Sequence, residues 1–425
     1  MRIFQQTPQF KNPKDVFYGW WLVGITVFTL TSVITPIFQG LGFFFVALER
    51  EFLWSRLILS IPFSLSRIEG ALLGPLEGYL IDRLGSRRMI LIGFIMLGIG
   101  FILFSFTTGI ITYYGSFMII FAGSGLGGWM PLVAAINHWF NRHRALAMAI
   151  GMLGMNLGAL LAPLFGHAID SFGWRTIAFS LGIIVLLLAF PISFSVRNHP
   201  EEYGLLPDGD KPSENTDPAD QSSPTAIDDA HEFTVREALK TVAFWAISAA
   251  HGFSAISAVT MSVHIIPALT DRGMSSPEAG TVVLAIGVFG GFFQLLGGYI
   301  GDRVPKPPVI AIFIVIQAIG MATLATLNTG YAPYLFALLY GGGMGGRVPL
   351  LTAIRGDYFG RNNFATILGI SQVPMNLAMM FAPLLAGWAF DTQGSYTIPF
   401  LALAALNLLG AALIFLARTP PKKPA

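Results

Sequence analysis

Residues 90–106, ILIGFIMLGIGFILFSF, contain no charged side chain and none of the polar alternation expected of a strand with one wet face. Eleven other stretches of the chain are mostly apolar over a comparable or greater length. A helix needs about 20 mostly apolar residues to cross the ~30 Å hydrocarbon core of a bilayer. Strands of a membrane barrel would instead read as short segments of period two, which these runs do not. They predict helices over 18–46, 56–81, 89–107, 110–138, 145–169, 174–196, 241–268, 278–301, 307–328, 332–357, 363–389 and 395–417. Composition agrees, because only 11% of the residues are charged, against about 25% in soluble domains. The expectation is an all-α membrane protein of twelve transmembrane helices, with the lipid bilayer as its solvent.

Charge sets the orientation. Polar residues and two prolines precede the first apolar run, unlike a cleavable signal, so that run is expected to remain in the membrane. With the N-terminus inside, eighteen lysines and arginines fall on the cytoplasmic side and only Arg50, Arg56, Arg175 and Arg272 on the other. This positive-inside bias predicts an integral protein of the cytoplasmic membrane with both termini in the cytoplasm. The chain has no cysteine, which excludes a disulfide framework and thiol metal ligands.

Between the sixth and seventh runs lies a stretch rich in Pro, Asp, Ser and Glu, too poor in apolar residues to bury a core. It reads as a cytoplasmic linker, ending in a short amphipathic helix over FTVREALK. The expected organisation is a tail over 1–17, a six-helix bundle over 18–196, the linker over 197–240, a second bundle over 241–417 and a tail over 418–425. The two bundles match each other in four blocks. GYLIDR at Gly78 returns as GYIGDR at Gly298, WFNR at Trp139 as YFGR at Tyr358, NLGALLAP at Asn156 as NLAMMFAP at Asn376, and DSFGWRTIAF at Asp170 as DTQGSYTIPF at Asp391. Offsets of 219 to 221 residues in constant order indicate a duplicated unit. Six helices return the chain to its starting side, so the repeats are parallel and leave a substrate path between them.

The repeated Asp-Arg pairs fall just beyond the ends of the second and eighth helices. Arg83, Arg87, Arg88 and Arg303 fit a positive-inside loop, but Asp82 and Asp302 gain nothing from that rule. A carboxylate there is better explained by a basic neighbour or a helix N-terminus. Arg142, Arg144 and Arg361 are the candidate partners, and with Glu77 the set predicts a cytoplasmic gate. Gly70, Gly74 and Gly78 share one face of the second helix, a spacing that permits close helix approach.

GYLIDRLGSRR resembles G-x-x-x-D-R-x-G-x-R-R, the signature joining the second and third helices of the major facilitator superfamily, and GYIGDR is similar to its weaker second copy. YGWWLV at Tyr18, EFLWSRLILS at Glu51, WFNRHRALAMAIGMLGMNLG at Trp139 and HIIPALTDRGMSSPEAG at His264 resemble the monocarboxylate porter and oxalate/formate antiporter branch. The resemblance implies the major facilitator fold and transport of a small anion. This chain departs from that branch at Gln294, where its members usually carry an arginine in the eighth helix.

Charges at mid-bilayer depth are costly and mark functional sites by default. Arg67 and Glu69 in the second helix and Arg347 in the tenth are such charges. A guanidinium presents a fork suited to carboxylate oxygens, so Arg347 and Arg67 are candidate substrate ligands; a fixed bridge to Glu69 is the structural alternative. Arg355, nearer the interface, is expected to snorkel or to bridge to Asp357. Glu69 is the candidate for proton coupling, with His251 and His264 as possible relays or packing residues. Asn156, Asn376 and Gln294 are candidate polar wall residues or interhelix glue.

No phosphate-binding GxxxxGK[ST] loop and no HExxH pair occurs, so direct use of ATP by that route and metalloprotease chemistry are excluded. Nothing in the sequence points to an enzyme, a cofactor or a nucleic-acid partner. The leading expectation is an alternating-access secondary transporter of a small organic anion, coupled to a proton. Its alternatives are an exporter of a neutral or cationic compound, and a receptor that kept the transporter fold.

Overall fold

The computed structural model describes residues 17–34, 41–54, 56–159, 162–210, 232–274, 276–327 and 329–419. The N-terminal tail apart from Phe17, the middle of the linker and the end of the C-terminal tail lie outside the described residues. Those described form helices and no strand.

Twelve spans follow in the expected order. The first comprises Tyr18–Thr29 with a continuation over Leu30–Ile34, and Leu41–Phe52 leads out of it. The second is Arg56–Leu84, the third Ser86–Ser105, and the fourth Ile110–Gly127 with Trp129–Trp139. The fifth is Arg144–Ala159 with Ala162–Phe172, and the sixth is Trp174–Ser195. In the other half come Val242–Thr270, Ser276–Gly301, Lys306–Thr326, Ala332–Phe359, Phe364–Gln393 and Thr397–Leu413. Eight described stretches are long and apolar enough on their own to cross a membrane.

Local chemistry sets the breaks. In the first Asp-Arg motif the chain turns sharply at Gly85, whose φ of 84° suits a residue without a Cβ. The second motif turns through Pro305 instead, with Pro307 in the first turn of the ninth span, where a missing N–H costs nothing. The short helix expected in FTVREALK is Val235–Leu239, started by Thr234 and Glu237 in a reciprocal capping arrangement.

Packing repeats with the sequence. The third span lies against the fourth and sixth, and the ninth against the tenth and twelfth. Between the halves, the second span crosses the eleventh and the fifth crosses the eighth. These two crossings are equivalent under the repeat.

The linker binds matching loops in the two halves. Asp208 accepts hydrogen bonds from the backbone amides of Asn141 (2.9 Å), Arg142 (2.7 Å) and His143 (3.3 Å), in the loop between the fourth and fifth spans. Glu232 accepts from the amides of Arg361 (2.8 Å) and Asn362 (2.9 Å), in the loop between the tenth and eleventh. The described ends of the chain meet this same face: Arg197 stacks over the Tyr18 ring at 4.4 Å, and the Tyr358 hydroxyl donates to the Ala417 carbonyl at 3.0 Å.

Candidate substrate cavity and its closed end

At the linker face the halves are held by each other's aspartates. The Asp82 carboxylate accepts from the Ala365 amide (3.1 Å), the Thr366 amide (2.7 Å) and the Thr366 hydroxyl (2.6 Å), at the first turn of the eleventh span. Asp302 accepts from the amides of Ala145 (2.8 Å) and Leu146 (2.9 Å), at the first turn of the fifth. The first turn of a helix offers unpaired N–H groups and the positive end of its dipole, and each charge-assisted bond contributes roughly 1.5–3 kcal/mol. Asp302 lies just beyond its span; burial pushes its carboxyl up from the ordinary value, while the Leu146 and Ala145 amides pull it down.

The basic residues behave differently from the arginine-to-aspartate bridges considered for the gate. Arg144 pairs across the halves with Asp357 (2.7 Å), which also receives Lys306 (2.5 Å). Arg361 donates across the halves to the His138 carbonyl (2.9 Å) and pairs with Glu201 of the linker (3.1 Å). Arg142 pairs with Asp210. Arg83, Arg87 and Arg303 lie over the Tyr79, Phe194 and Tyr299 rings, and Arg88 is exposed.

From this face outwards the halves separate. A Cβ on Gly78 would collide with the backbone of Ala365 and Thr366, and one on Gly369 with the Gly74 backbone, so the two helices still touch there; a Cβ on Gly70 would meet only the Asn376 side chain, at 3.3 Å. The other crossing shows the same trend. Gly298 abuts Ala145, Leu146 and Ala149, Gly291 meets only the Leu153 side chain at 3.3 Å, and Gly287 meets nothing within 4 Å. Along this crossing Gln294 donates to the Ala149 carbonyl (2.7 Å) and accepts from Asn156 (3.2 Å). Those two residues thus bond across the seam, and neither lines the cavity.

The space so opened is a cavity of about 700 Å³, within the size range of about 300–1,000 Å³ for small-molecule sites. The second span contributes Arg67, Glu69 and Glu77 to its wall, and the eleventh contributes Gln372 and Asn376. Among the described residues Arg67 has neither a hydrogen bond nor an ion pair, and Glu69 Oε2 and Gln372 Nε2 are buried without partners. Glu77 stands one residue before the tight crossing at Gly78, and so connects the cavity floor to the closed end.

The remaining candidates sit elsewhere. Arg347 is only 2% exposed and lies inside the second half, where Nε donates to Gln317 Oε1 (2.6 Å) and a terminal nitrogen donates to the Ser254 carbonyl (2.9 Å). Arg355 neither snorkels nor bridges to Asp357. It is buried, donating to the Leu351 carbonyl and, at 3.4 Å, to His251 Nδ1, because its side chain turns into the bundle while Asp357 is taken by Arg144 and Lys306. His264 Nδ1 is hydrogen-bonded to the Tyr396 hydroxyl at 3.2 Å. Neither histidine lines the cavity.

Gln372 escaped the sequence reading, although it precedes Asn376 by four residues and so shares its helix face. Ser124 and Ser262, also in the wall, carry no signal that separates them from the many serines of apolar helices.

The family model described as Major Facilitator Superfamily matches residues 20–330 and 252–425. Monocarboxylate transporter 11 of Homo sapiens is 26% identical over 419 residues, covering 95% of this chain and 84% of that protein. Monocarboxylate transporter 12 of Xenopus laevis is 25% identical over 423 residues, covering 95% and 88%. Among solved structures, a double-tryptophan mutant of XylE superposes with a TM-score of 0.74 at 16% identity, covering 96% of this chain and 97% of its own. FucP in the outward conformation gives 0.68 at 14% identity, covering 94% and 99%. These two likenesses concern the fold alone. Family match, full-length relatives and a twelve-span architecture agree: the chain belongs to the Major Facilitator Superfamily and is a membrane transporter related to the monocarboxylate transporters.

Proposed function

We propose that this protein is an alternating-access secondary transporter that carries a small monocarboxylate-like anion together with a proton. The observation that carries the reading is Arg67: an intramembrane guanidinium on the cavity wall with no partner among the described residues. An unpaired charge at such depth is costly, and a planar fork of donors is matched by carboxylate oxygens. The names of the related monocarboxylate transporters point to the same substrate class.

Glu69 is the proton carrier in this reading. Its unpartnered oxygen shares the cavity with Arg67, so a proton on Glu69 leaves the arginine's charge free for cargo. The linker face and both termini are cytoplasmic in this reading, which the excess of basic residues supports. The described arrangement is then closed to the cytoplasm, and opening there requires Asp82 and Asp302 to leave the helix ends they occupy.

Reconstituted into vesicles, the protein is expected to accumulate labelled butyrate when a proton gradient points inward. Failure to accumulate any of a panel of short-chain acids removes the anion reading. Glu69→Gln is expected to keep butyrate exchange across the vesicle membrane while losing gradient-driven accumulation; accumulation at the wild-type level assigns the proton to another group.

A further inference from the structure

We propose that Glu77 is a cation-accepting subsite of the same cavity, so that the preferred cargo is a zwitterion whose carboxylate meets Arg67 and whose compact cationic group meets Glu77. This rests on the reading of Arg67 given above and adds a second charge to the cargo.

Three observations support it. Glu77 is 8% exposed, lines the cavity, and has no hydrogen bond or ion pair among the described residues. Room is made for its carboxylate: a Cβ on Gly125 would stand within 2.9 Å of Glu77 Cδ, so the absent side chain of the fourth span is the space the acid occupies. The charges of the wall also fail to balance. The second span contributes one base and two acids, whereas the eleventh and seventh contribute Gln372, Asn376 and Ser262, all neutral.

One acid offsets Arg67 or carries the coupled proton, which leaves the other buried and uncompensated. A buried carboxylate without a counter-charge costs several kcal/mol, and a cationic group on the cargo removes that cost. Ten residues separate Arg67 from Glu77, about 15 Å along the helix axis at 1.5 Å per residue. Even after both side chains reach into the cavity, this spacing suits an ω-amino carboxylate better than an α-amino acid, whose charges are adjacent.

The test compares matched pairs on the purified full-length protein: butyrate with γ-aminobutyrate, and caproate with ε-aminocaproate, each by ligand-induced thermal stabilisation and by competition against labelled butyrate uptake. Apparent affinity for the amino compound of at least one pair is expected to exceed that for the plain acid by about tenfold or more. In Glu77→Gln this ratio is expected to fall to about one. Should that variant not fold, Gly125→Ala, which crowds the carboxylate, is expected to lower the ratio in the same direction. Plain acids that bind as well as their amino counterparts, or a ratio unchanged in both variants, overturn the inference while leaving the anion reading intact. If neither kind of acid binds, both fall together.

Discussion

Arg67 and Arg347 each stand near the middle of a long helix, Arg56–Leu84 and Ala332–Phe359, yet their situations are opposite. Arg347 is enclosed by the second half and satisfied by Gln317 and the Ser254 carbonyl. Arg67 faces a cavity between the halves with no protein partner among the described residues. An intramembrane charge is therefore not a sufficient sign of a binding site; what distinguishes the two is whether the protein supplies the counter-groups. Buried and bonded, a guanidinium organises its surroundings. Left unmatched, it is the group that our proposal gives to the cargo.

The largest effect that can break this comparison is on transport. Arg67→Gln is expected to lower butyrate uptake roughly a hundredfold, the loss that follows removal of one side of a desolvated charge pair, while the thermal midpoint of the protein stays close to wild type. Uptake within a factor of two of wild type would make Arg67 a bystander. Next comes Arg347→Gln, expected to destabilise the fold by about 1–3 kcal/mol because Gln317 and the Ser254 carbonyl lose their donor. Its signature is a depressed melting temperature, with uptake per folded molecule changed only severalfold. An unaltered melt with abolished uptake would move Arg347 to the cargo side of the comparison.

A smaller effect sharpens the contrast, because it concerns charges whose partners belong to the opposite half. Asp82→Ala and Asp302→Ala are each expected to shift the equilibrium away from the closed linker face by about 2 kcal/mol. Hydrogen exchange reads this directly: the Ala365 and Thr366 amides should exchange faster in the first variant, and those of Ala145 and Leu146 in the second. No acceleration in either would mean that the aspartates cap helices without holding the halves together.

The architecture was legible because apolar length and a repeat offset near 220 residues survive in any register of side chains. The cavity was legible in part. Arg67, Glu69 and Asn376 announce themselves as polar groups in apolar runs, but depth does not reveal direction. Arg347 sits in GGGMGGRVPLL, where glycines leave no amphipathic stripe to tell a cavity-facing side from a bundle-facing one. For Asp82 and Asp302 the helix N-terminus is the alternative the structure realises, but which helix each one meets was not legible. Backbone amides receive these carboxylates, and an amide has no letter in a sequence; the arginines that looked like natural counter-ions are engaged with Asp357, Glu201 and Asp210. Asp208 and Glu232 were likewise lost among the many acids of the linker.

All the ionisable groups named in the cavity wall are carried by a single helix, Arg56–Leu84, and the facing wall is neutral. Their mutual spacing is consequently set within one helix, with Pro75 between Arg67 and Glu77, and not across the seam between the two bundles. A charged guest would meet an electrostatic ruler carried by one bundle alone, while the uncharged wall opposite served as a shutter that could be recut for another guest without disturbing the scale.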